Sequence, residues 1–194
     1  MWADHLAGRG RTSVEVDSKV LLGKKPYDGI ILGVDPSLRG TGLAVLSFTS
    51  GQASLSTSLT LKLKPKVPFD VCLGRIHQSV VSFLEAHEPR HLALEQTIYV
   101  QNTKTALILG SVRGAVISAA AVQGIPVFEY PPLRVKQAVV GYGRASKEQV
   151  ARTVAQLLTS GEELDFDEAD AAGVALCHAM TWDGVEVLRS KIVE

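Results

Sequence analysis

The pattern of apolar and polar positions begins with two apolar runs, GIILGVD at 29–35 and GLAVLSF at 42–48. The short polar segment PSLRGT lies between them, which predicts a β-hairpin. Residues 53–64 (ASLSTSLTLKLK) then alternate, which is typical of a strand with one face in water. The first part of the chain therefore predicts three consecutive antiparallel strands.

After Pro68 the apolar positions recur every three or four residues, which predicts a helix that ends before EPR at 88–90. HLALE at 91–95 has the length and composition of a short buried strand. Asn102 is a suitable cap for a long helix that runs to about Gln123. IPVFEY at 125–130 predicts a fifth strand, which Pro131 and Pro132 would end.

Three helices follow these elements. The pattern predicts a short helix at 133–140, a helix that begins at Ser146 and a last helix from about Asp167. This order of elements favours an α/β fold with a mixed five-stranded sheet, three antiparallel strands followed by parallel ones, and helices on both faces.

The chain of 194 residues is 46% hydrophobic, which is sufficient for one packed domain. Residues 1–27 are polar without periodicity, so we expect a flexible N-terminal extension followed by a single domain over 28–194. Cys72 and Cys177 lie in apolar helical patterns, which indicates reduced packing residues.

We expect a cytoplasmic protein without membrane association. No stretch approaches the roughly 18 unbroken apolar residues of a membrane span. The first residues (MWADHLAGRGRTSVEVDSK) also lack the apolar region of a secretory signal.

Lysine and arginine total 20 and aspartate and glutamate total 20, and this balance alone argues against a nucleic-acid-binding protein. The charges are nevertheless segregated along the chain. Five basic residues lie between positions 134 and 152, beside one acid, whereas six acids lie between 162 and 170. A basic groove beside an acidic pocket fits this distribution, and only the groove would contact phosphate.

Four carboxylates occupy positions where they can converge. Asp35 ends the first strand, Glu95 ends the fourth, and Asp167 and Asp170 lie three residues apart on one face of the last helix. Clustered carboxylates repel one another unless divalent cations lie among them. Ligation by oxygen alone suits Mg²⁺ or Mn²⁺, and two such ions about 4 Å apart promote phosphodiester hydrolysis.

Each of these acids has an ordinary alternative role when it is taken alone. Acids in the first turn of a helix favour its dipole, which accounts for Asp167 and Asp170 without a metal. Glu95 is also consistent with a strand-end charge that reaches water. Asp35 is consistent with a cap of the following turn through the amides of Ser37 or Thr41.

The chain resembles the RuvC family of Holliday-junction resolvases, within the RNase H-like nucleases. The likeness spans about residues 29–181 and lies in four blocks: ILGVDPSLRGTGLAVL; ALEQ with NTKTALILGSVRGA; PVFEYPPLRVKQAVVGYGRASKEQV; and DEADAAGVALCHA. It implies an RNase H-like fold and a crossover junction endodeoxyribonuclease that acts in DNA recombination and repair. It also implies a homodimer that nicks a four-way junction symmetrically, and it leaves open whether a branch-migration motor complex is a partner.

The resemblance also assigns roles to individual residues. Asp35, Glu95, Asp167 and Asp170 would be the catalytic acids that hold two Mg²⁺ ions per site, with Mn²⁺ as the alternative. Lys147 would contact the scissile strand or neutralise developing charge. Lys136 would bind the DNA backbone, and the alternative for both lysines is an ordinary solvated side chain.

The loop GYGRAS offers Arg144 for phosphate and Tyr142 for a base, although an exposed loop with incidental charge is nearly as consistent. The family often carries a phenylalanine wedge three residues after its catalytic glutamate. This chain has Ile98 at that position, followed by Tyr99, so either residue is a candidate wedge. It also has Asp-Pro-Ser where family members often have Asp-Pro-Gly.

Small residues recur every four positions in the long helix, at Ala106, Gly110, Gly114 and Ser118. This strip favours close approach of another backbone, either across a dimer contact or flat on the sheet. His178 follows Asp170 by eight residues, and we interpret it as a packing residue rather than a metal ligand.

Two other classes of function compete with the nuclease. A strand, an aspartate, a glycine turn and a second strand also open the phosphate-binding lobe of actin-like ATPases, which need a second lobe. A junction-binding module without catalysis shares every sequence feature of the enzyme.

Overall fold

The computed structural model describes residues 25–96, 102–158 and 164–184. The elements in chain order are β1 (Gly29–Asp35), β2 (Gly40–Thr49), β3 (Gln52–Lys62), α1 (Phe69–His87), β4 (His91–Glu95), α2 (Thr103–Val122), β5 (Val127–Tyr130), α3 (Pro132–Val140), α4 (Lys147–Leu157) and α5 (Phe166–Thr181).

The strands form one sheet in the order β3-β2-β1-β4-β5. β1 pairs with β2 and β2 with β3 in antiparallel fashion, whereas β1 with β4 and β4 with β5 are parallel. The predicted mixed sheet and the helices on both of its faces are therefore confirmed.

Alternation along the strands divides the core into two layers. Ile31 and Ala93 face the layer that α3, α4 and α5 cover, whereas Leu32, Val34 and Leu92 face α1 and α2. A strand side chain points to the face opposite that of its neighbour, so Gly33, Asp35 and Glu95 share the α5 face. The carboxylates that end β1 and β4 thus lie beneath α5.

Two glycines let α5 lie directly on the sheet. A Cβ atom added to Gly42 would lie 1.9 Å from the backbone oxygen of Asp167, and one added to Gly33 would lie 2.1 Å from that of Ala171. No side chain fits at these distances, so the helix backbone contacts the strand backbone. This close approach sets the height of α5 above the ends of β1 and β2.

Helix ends follow the predicted signals with one difference. Asn102 caps α2 by accepting a hydrogen bond from the Thr105 amide, and Ser146 forms a capping box with Gln149 at the start of α4. α3 begins at Pro132 rather than after it. Proline suits the first helical turn because that turn needs no amide donor.

Strand β3 deviates from regular alternation. Its register against β2 shifts between Val45 and Leu46, so that Val45 pairs with Thr57 and Leu46 with Leu55. Such a bulge changes the side-chain alternation of an edge strand. The single wet face predicted for this strand is consequently interrupted.

One residue of the predicted N-terminal extension contributes to the core. Tyr27, which we assigned to a flexible extension, is 3% exposed and contributes to the core. Its hydroxyl is hydrogen-bonded to Nδ1 of His91 at 2.9 Å. The remainder of the predicted extension, residues 1–24, lies outside the described residues.

A buried pair of histidines joins β4 to α5. His91 Nδ1 lies 2.9 Å from His178 Nε2, and His178 Nδ1 lies 2.7 Å from the hydroxyl of Tyr130. The packing role predicted for His178 is confirmed, whereas no sequence pattern indicated its partner His91. Cys72 and Cys177 are free and buried, as expected.

Helix α2 is long and apolar enough to cross a membrane by length and composition, with a mean hydropathy of 1.7. One such helix is weak support for a membrane span, because core helices of soluble proteins meet the same criterion. α2 packs against α1, and its Arg113 forms an ion pair with Glu129 of β5. We therefore describe it as an outer helix of the domain.

Substitution of Gly42 by alanine tests the contact between α5 and the sheet. The added methyl group has no space against the Asp167 backbone, so we expect the free energy of unfolding to fall by about 1–3 kcal/mol or more. The measurement is urea unfolding followed by circular dichroism.

Gly74→Ala is the matched control, because an added Cβ at Gly74 on α1 meets nothing within 4 Å. We expect this control to keep or slightly raise stability, since alanine is the better helix former. Equal stability of Gly42→Ala and the wild type would contradict the close contact between β2 and the backbone of α5.

Candidate active site

Asp35 and Glu95 are neighbours at the carboxyl ends of two parallel strands. The register pairs Val34 of β1 with Leu94 of β4, so the next residue of each strand is a carboxylate. Their side chains are hydrogen-bonded to each other. In the turn that follows Asp35, the Thr41 hydroxyl donates a hydrogen bond to the Ser37 carbonyl.

Asp167 and Asp170 come to the same place from the first turns of α5. The Oδ2 atom of Asp167 lies 2.9 Å from a Cβ added to Gly40, at the start of β2. The charges of both aspartates act on Asp35, and that of Asp170 also acts on Glu95. The structure thus brings together the four predicted acids from three separate elements.

The proximity of these acids changes their titration. Burial, followed by the neighbouring Glu95, raises the pKa of Asp35 to about 8. Burial also raises the pKa of Glu95, while the hydrogen bond from Asp35 and the charges of Lys147 and Lys136 oppose the shift. The two carboxyls therefore titrate as one coupled pair, and burial opposes the ionisation of both.

The donor set fits hard divalent cations. All four groups supply oxygen, which Mg²⁺ and Mn²⁺ prefer. Within residues 25–96, 102–158 and 164–184, however, no three acidic, histidine or cysteine side chains form a ready-made ion cage. A bound divalent cation would favour the ionised form of these carboxyls and so offset their repulsion.

Lys147 is the cation next to the acid cluster. As the first residue of α4 it lies where its charge opposes the helix dipole, and its Nζ atom lies 3.3 Å from Oδ2 of Asp170. The charge of Asp170 raises the pKa of Lys147. Attraction to the acids thus explains why a cation lies at this helix start.

Lys136 has a contact that the sequence did not predict. Its Nζ atom donates to the backbone oxygen of Ala145 at 2.9 Å, which ties α3 to the loop before α4. Its charge still reaches Glu95 and opposes the rise in the pKa of that carboxyl. A contact between Lys136 and the DNA backbone remains a prediction.

The remaining candidate residues lie on loops. Arg144 is exposed between α3 and α4, and Tyr142 in the same loop is 47% exposed. Ile98 and Tyr99, the candidate wedge residues, lie outside the described residues.

Three tethers of the site had no sequence signal. Lys62 of β3 forms an ion pair with Asp165 at 2.6 Å, and Ser58 donates to Glu168 at 2.9 Å. Arg39 Nη1 donates to the backbone oxygens of residues 64 and 67, which holds the loop before α1. The partners are 25 to 110 residues apart along the chain, so no local pattern relates them.

The mixed sheet and the acid cluster at the ends of its parallel strands define an RNase H-like nuclease. A family model described as crossover junction endodeoxyribonuclease RuvC matches residues 31–178. The chain belongs to the RuvC family of crossover junction endodeoxyribonucleases, which are metal-dependent nucleases.

Curated relatives agree with this assignment. The crossover junction endodeoxyribonuclease RuvC of Pelotomaculum thermopropionicum is 40% identical over 157 residues, which cover 79% of this chain and 96% of the relative. That of Burkholderia pseudomallei strain 668 is 42% identical over 149 residues, which cover 77% and 82% of the two chains.

Solved structures show the same fold. Thermus thermophilus RuvC in complex with a Holliday junction substrate matches with a TM-score of 0.74 and 34% identity over 78% of this chain and 93% of that chain. The yeast mitochondrial Holliday junction resolvase Ydc2 matches with a TM-score of 0.58 at 12% identity, over 84% of this chain and 80% of that one. The yeast match supports the fold alone.

Asp35→Asn tests the electrostatic strain of the site. The folded chain retains the Asp35 proton up to about pH 8, whereas the ordinary value is 3.8. The folded state therefore binds more protons between these values, and stability falls as the pH rises through that window. Asparagine does not ionise, so the variant avoids this loss of stability. Each kcal/mol regained in the free energy of unfolding raises the melting temperature by about 2–4 °C.

The melting temperatures of Asp35→Asn and the wild type are measured by thermal unfolding in chelator from pH 5 to pH 8. We expect the advantage of the variant to grow with pH. Asp165→Asn is the control, because Asp165 forms an exposed ion pair with Lys62, and exposed pairs contribute little to stability. If Asp35→Asn melts at or below the wild-type temperature throughout this range, ionisation of Asp35 does not destabilise the folded site.

Proposed function

We propose that this protein resolves four-way DNA junctions by metal-dependent hydrolysis, with Asp35, Glu95, Asp167 and Asp170 as the metal-binding catalytic residues. The convergence of these four carboxylates, in a chain of this family, carries the proposal. The similar Thermus protein was solved with a Holliday junction substrate, which supports the same substrate here.

The carboxylates would hold two Mg²⁺ ions, with Mn²⁺ as the alternative. When bound, two such ions supply an activated water and stabilise the leaving oxygen of an in-line displacement. Asp35 and Glu95 would bind the ions in their ionised form, which the cations favour. Lys147 lies beside Asp170, where its ammonium group can neutralise charge that develops on the phosphate.

DNA contacts would extend from this cluster along α3 and α4. Arg144 and Tyr142 are exposed on the loop between these helices and are available to phosphate and base. Lys136 lies close to both the loop and Glu95, so it can orient the loop while it attracts the backbone. Ile98 or Tyr99 would open the junction from the segment between β4 and α2.

The active form would be a homodimer, with α2 at its contact. Gly110 and Gly114 are exposed, and an added Cβ at either meets nothing within 4 Å. The small-residue strip therefore does not lie on the sheet of its own domain. Leu107 on the same helix is 68% exposed, which adds apolar area for a second copy. Two-fold symmetry of such a dimer would match paired incisions.

Two alternatives have less support. An actin-like ATPase needs a second lobe, and the part of the chain that the structure describes forms one sheet with its covering helices. A catalytically idle module gives no chemical reason for four acids to converge against their mutual repulsion. A cytoplasmic location is the expected setting for this reaction, and a motor complex remains a prediction from the family resemblance.

A synthetic four-way junction with end-labelled arms tests the proposed reaction. We expect symmetric nicks in Mg²⁺ and none in chelator, and Asp170→Asn should lower the cleavage rate by at least about a hundredfold because a metal ligand is lost. Junction binding, measured by gel shift in chelator, should persist in this variant.

Asp165→Asn is the control for this loss, since Asp165 also lies at the start of α5 but is paired with Lys62. It should cleave at nearly the wild-type rate. Cleavage in chelator, or full activity of Asp170→Asn, would refute the proposed site.

Bulky residues on α2 test the dimer. We expect Gly110→Leu with Gly114→Leu to leave the fold intact, because both positions are open in the single chain, but to shift the dimer to monomer in sedimentation velocity. Gly74→Leu on α1 is equally open and should leave the dimer unchanged. An unchanged sedimentation coefficient of the double variant would exclude α2 as the contact.

A further inference from the structure

Phe166 is a large apolar side chain at the edge of the acid cluster. It is the first residue of α5, directly before Asp167, and it is 55% exposed. A single exposed aromatic residue is ordinary on a protein surface. Its position relative to the carboxylates is the informative feature.

Helix geometry places Phe166 beside Asp170. At about 100° per residue, positions four apart differ by about 40°, so the two side chains are neighbours on one flank of α5. The Nζ atom of Lys147 lies 3.3 Å from Oδ2 of this Asp170. An aromatic ring, a catalytic acid and a cation thus occupy adjacent positions.

The other flank of the helix is directed to β3. Glu168 lies about 160° around the helix from Phe166 and accepts a hydrogen bond from Ser58. Asp165 is paired with Lys62 of the same strand. On the β3 side Lys62 offsets Asp165 and Glu168 remains as an acid that repels a polyanion, whereas on the Phe166 side the Lys147 ammonium group lies beside the carboxylates and attracts one. A DNA strand that reaches the carboxylates from the Lys147 side passes Phe166.

We propose that Phe166 is a stacking platform for a base next to the scissile phosphate. The proposal rests on the proposed junction cleavage and adds a substrate-positioning residue to it. Nucleotides at the crossover of a junction can leave the duplex stack, and an aromatic ring accepts the face of any base. Stacking would hold the strand at the distance from the carboxylates that hydrolysis requires.

The test compares Phe166→Leu with Phe166→Trp, since leucine keeps the apolar bulk and tryptophan keeps the aromatic ring. The probe is a four-way junction with 2-aminopurine beside each mapped nick, bound in chelator so that the strands stay intact. We expect the wild type and Phe166→Trp to quench the 2-aminopurine and Phe166→Leu to lose this quenching. Met180→Ala, an exposed residue in the last turn of α5, is the control and should behave as the wild type.

The affinity of the same variants for the junction is then measured in chelator, and their cleavage of it is measured in Mg²⁺. Loss of stacking should weaken junction binding about five- to a hundredfold in Phe166→Leu, with recovery in Phe166→Trp. Equal quenching and equal affinity of Phe166→Leu and the wild type would overturn this inference while the proposed function stands. Failure of the wild type to cleave the junction would overturn both.

Discussion

The candidate site depends on the burial of Asp35 against Glu95 beneath α5. Desolvation of a carboxylate beside other carboxylates is unfavourable, and the raised pKa of Asp35 expresses this cost. The sheet nevertheless imposes the contact, because the parallel register of β1 and β4 ends both strands at an acid. Backbone contacts at Gly33 and Gly42 then hold α5 and its two aspartates over the same point. Rigid packing thus maintains an arrangement that the charges alone would disperse.

Most of the fold could be predicted from the sequence because its signals are local. Apolar runs that end at Asp35 and Glu95 gave the strand ends, and Asn102 and Ser146 gave the helix starts. The four acids could be grouped because strand ends in a parallel pair lie together and helix positions three apart share a face. These rules use spacing along the chain, which the sequence contains in full.

The features that the sequence did not reveal depend on distant pairings. The contact of Lys136 with Ala145, the tethers from β3 to α5 and the histidine pair His91 and His178 require the tertiary arrangement. The bulge in β3 changes a register that alternation alone suggests is regular. Tyr27 lacked a periodic neighbourhood, so its burial could not be predicted from its flanking residues.

The central claim is that these four carboxylates bind a pair of hard divalent cations. Anomalous diffraction from crystals grown with Mn²⁺ and an uncleaved junction tests it most directly. Our account predicts two anomalous peaks roughly 4 Å apart, within coordination distance of the carboxyl oxygens of Asp35, Glu95, Asp167 and Asp170. Fully occupied Mn²⁺ peaks only at other positions would contradict it.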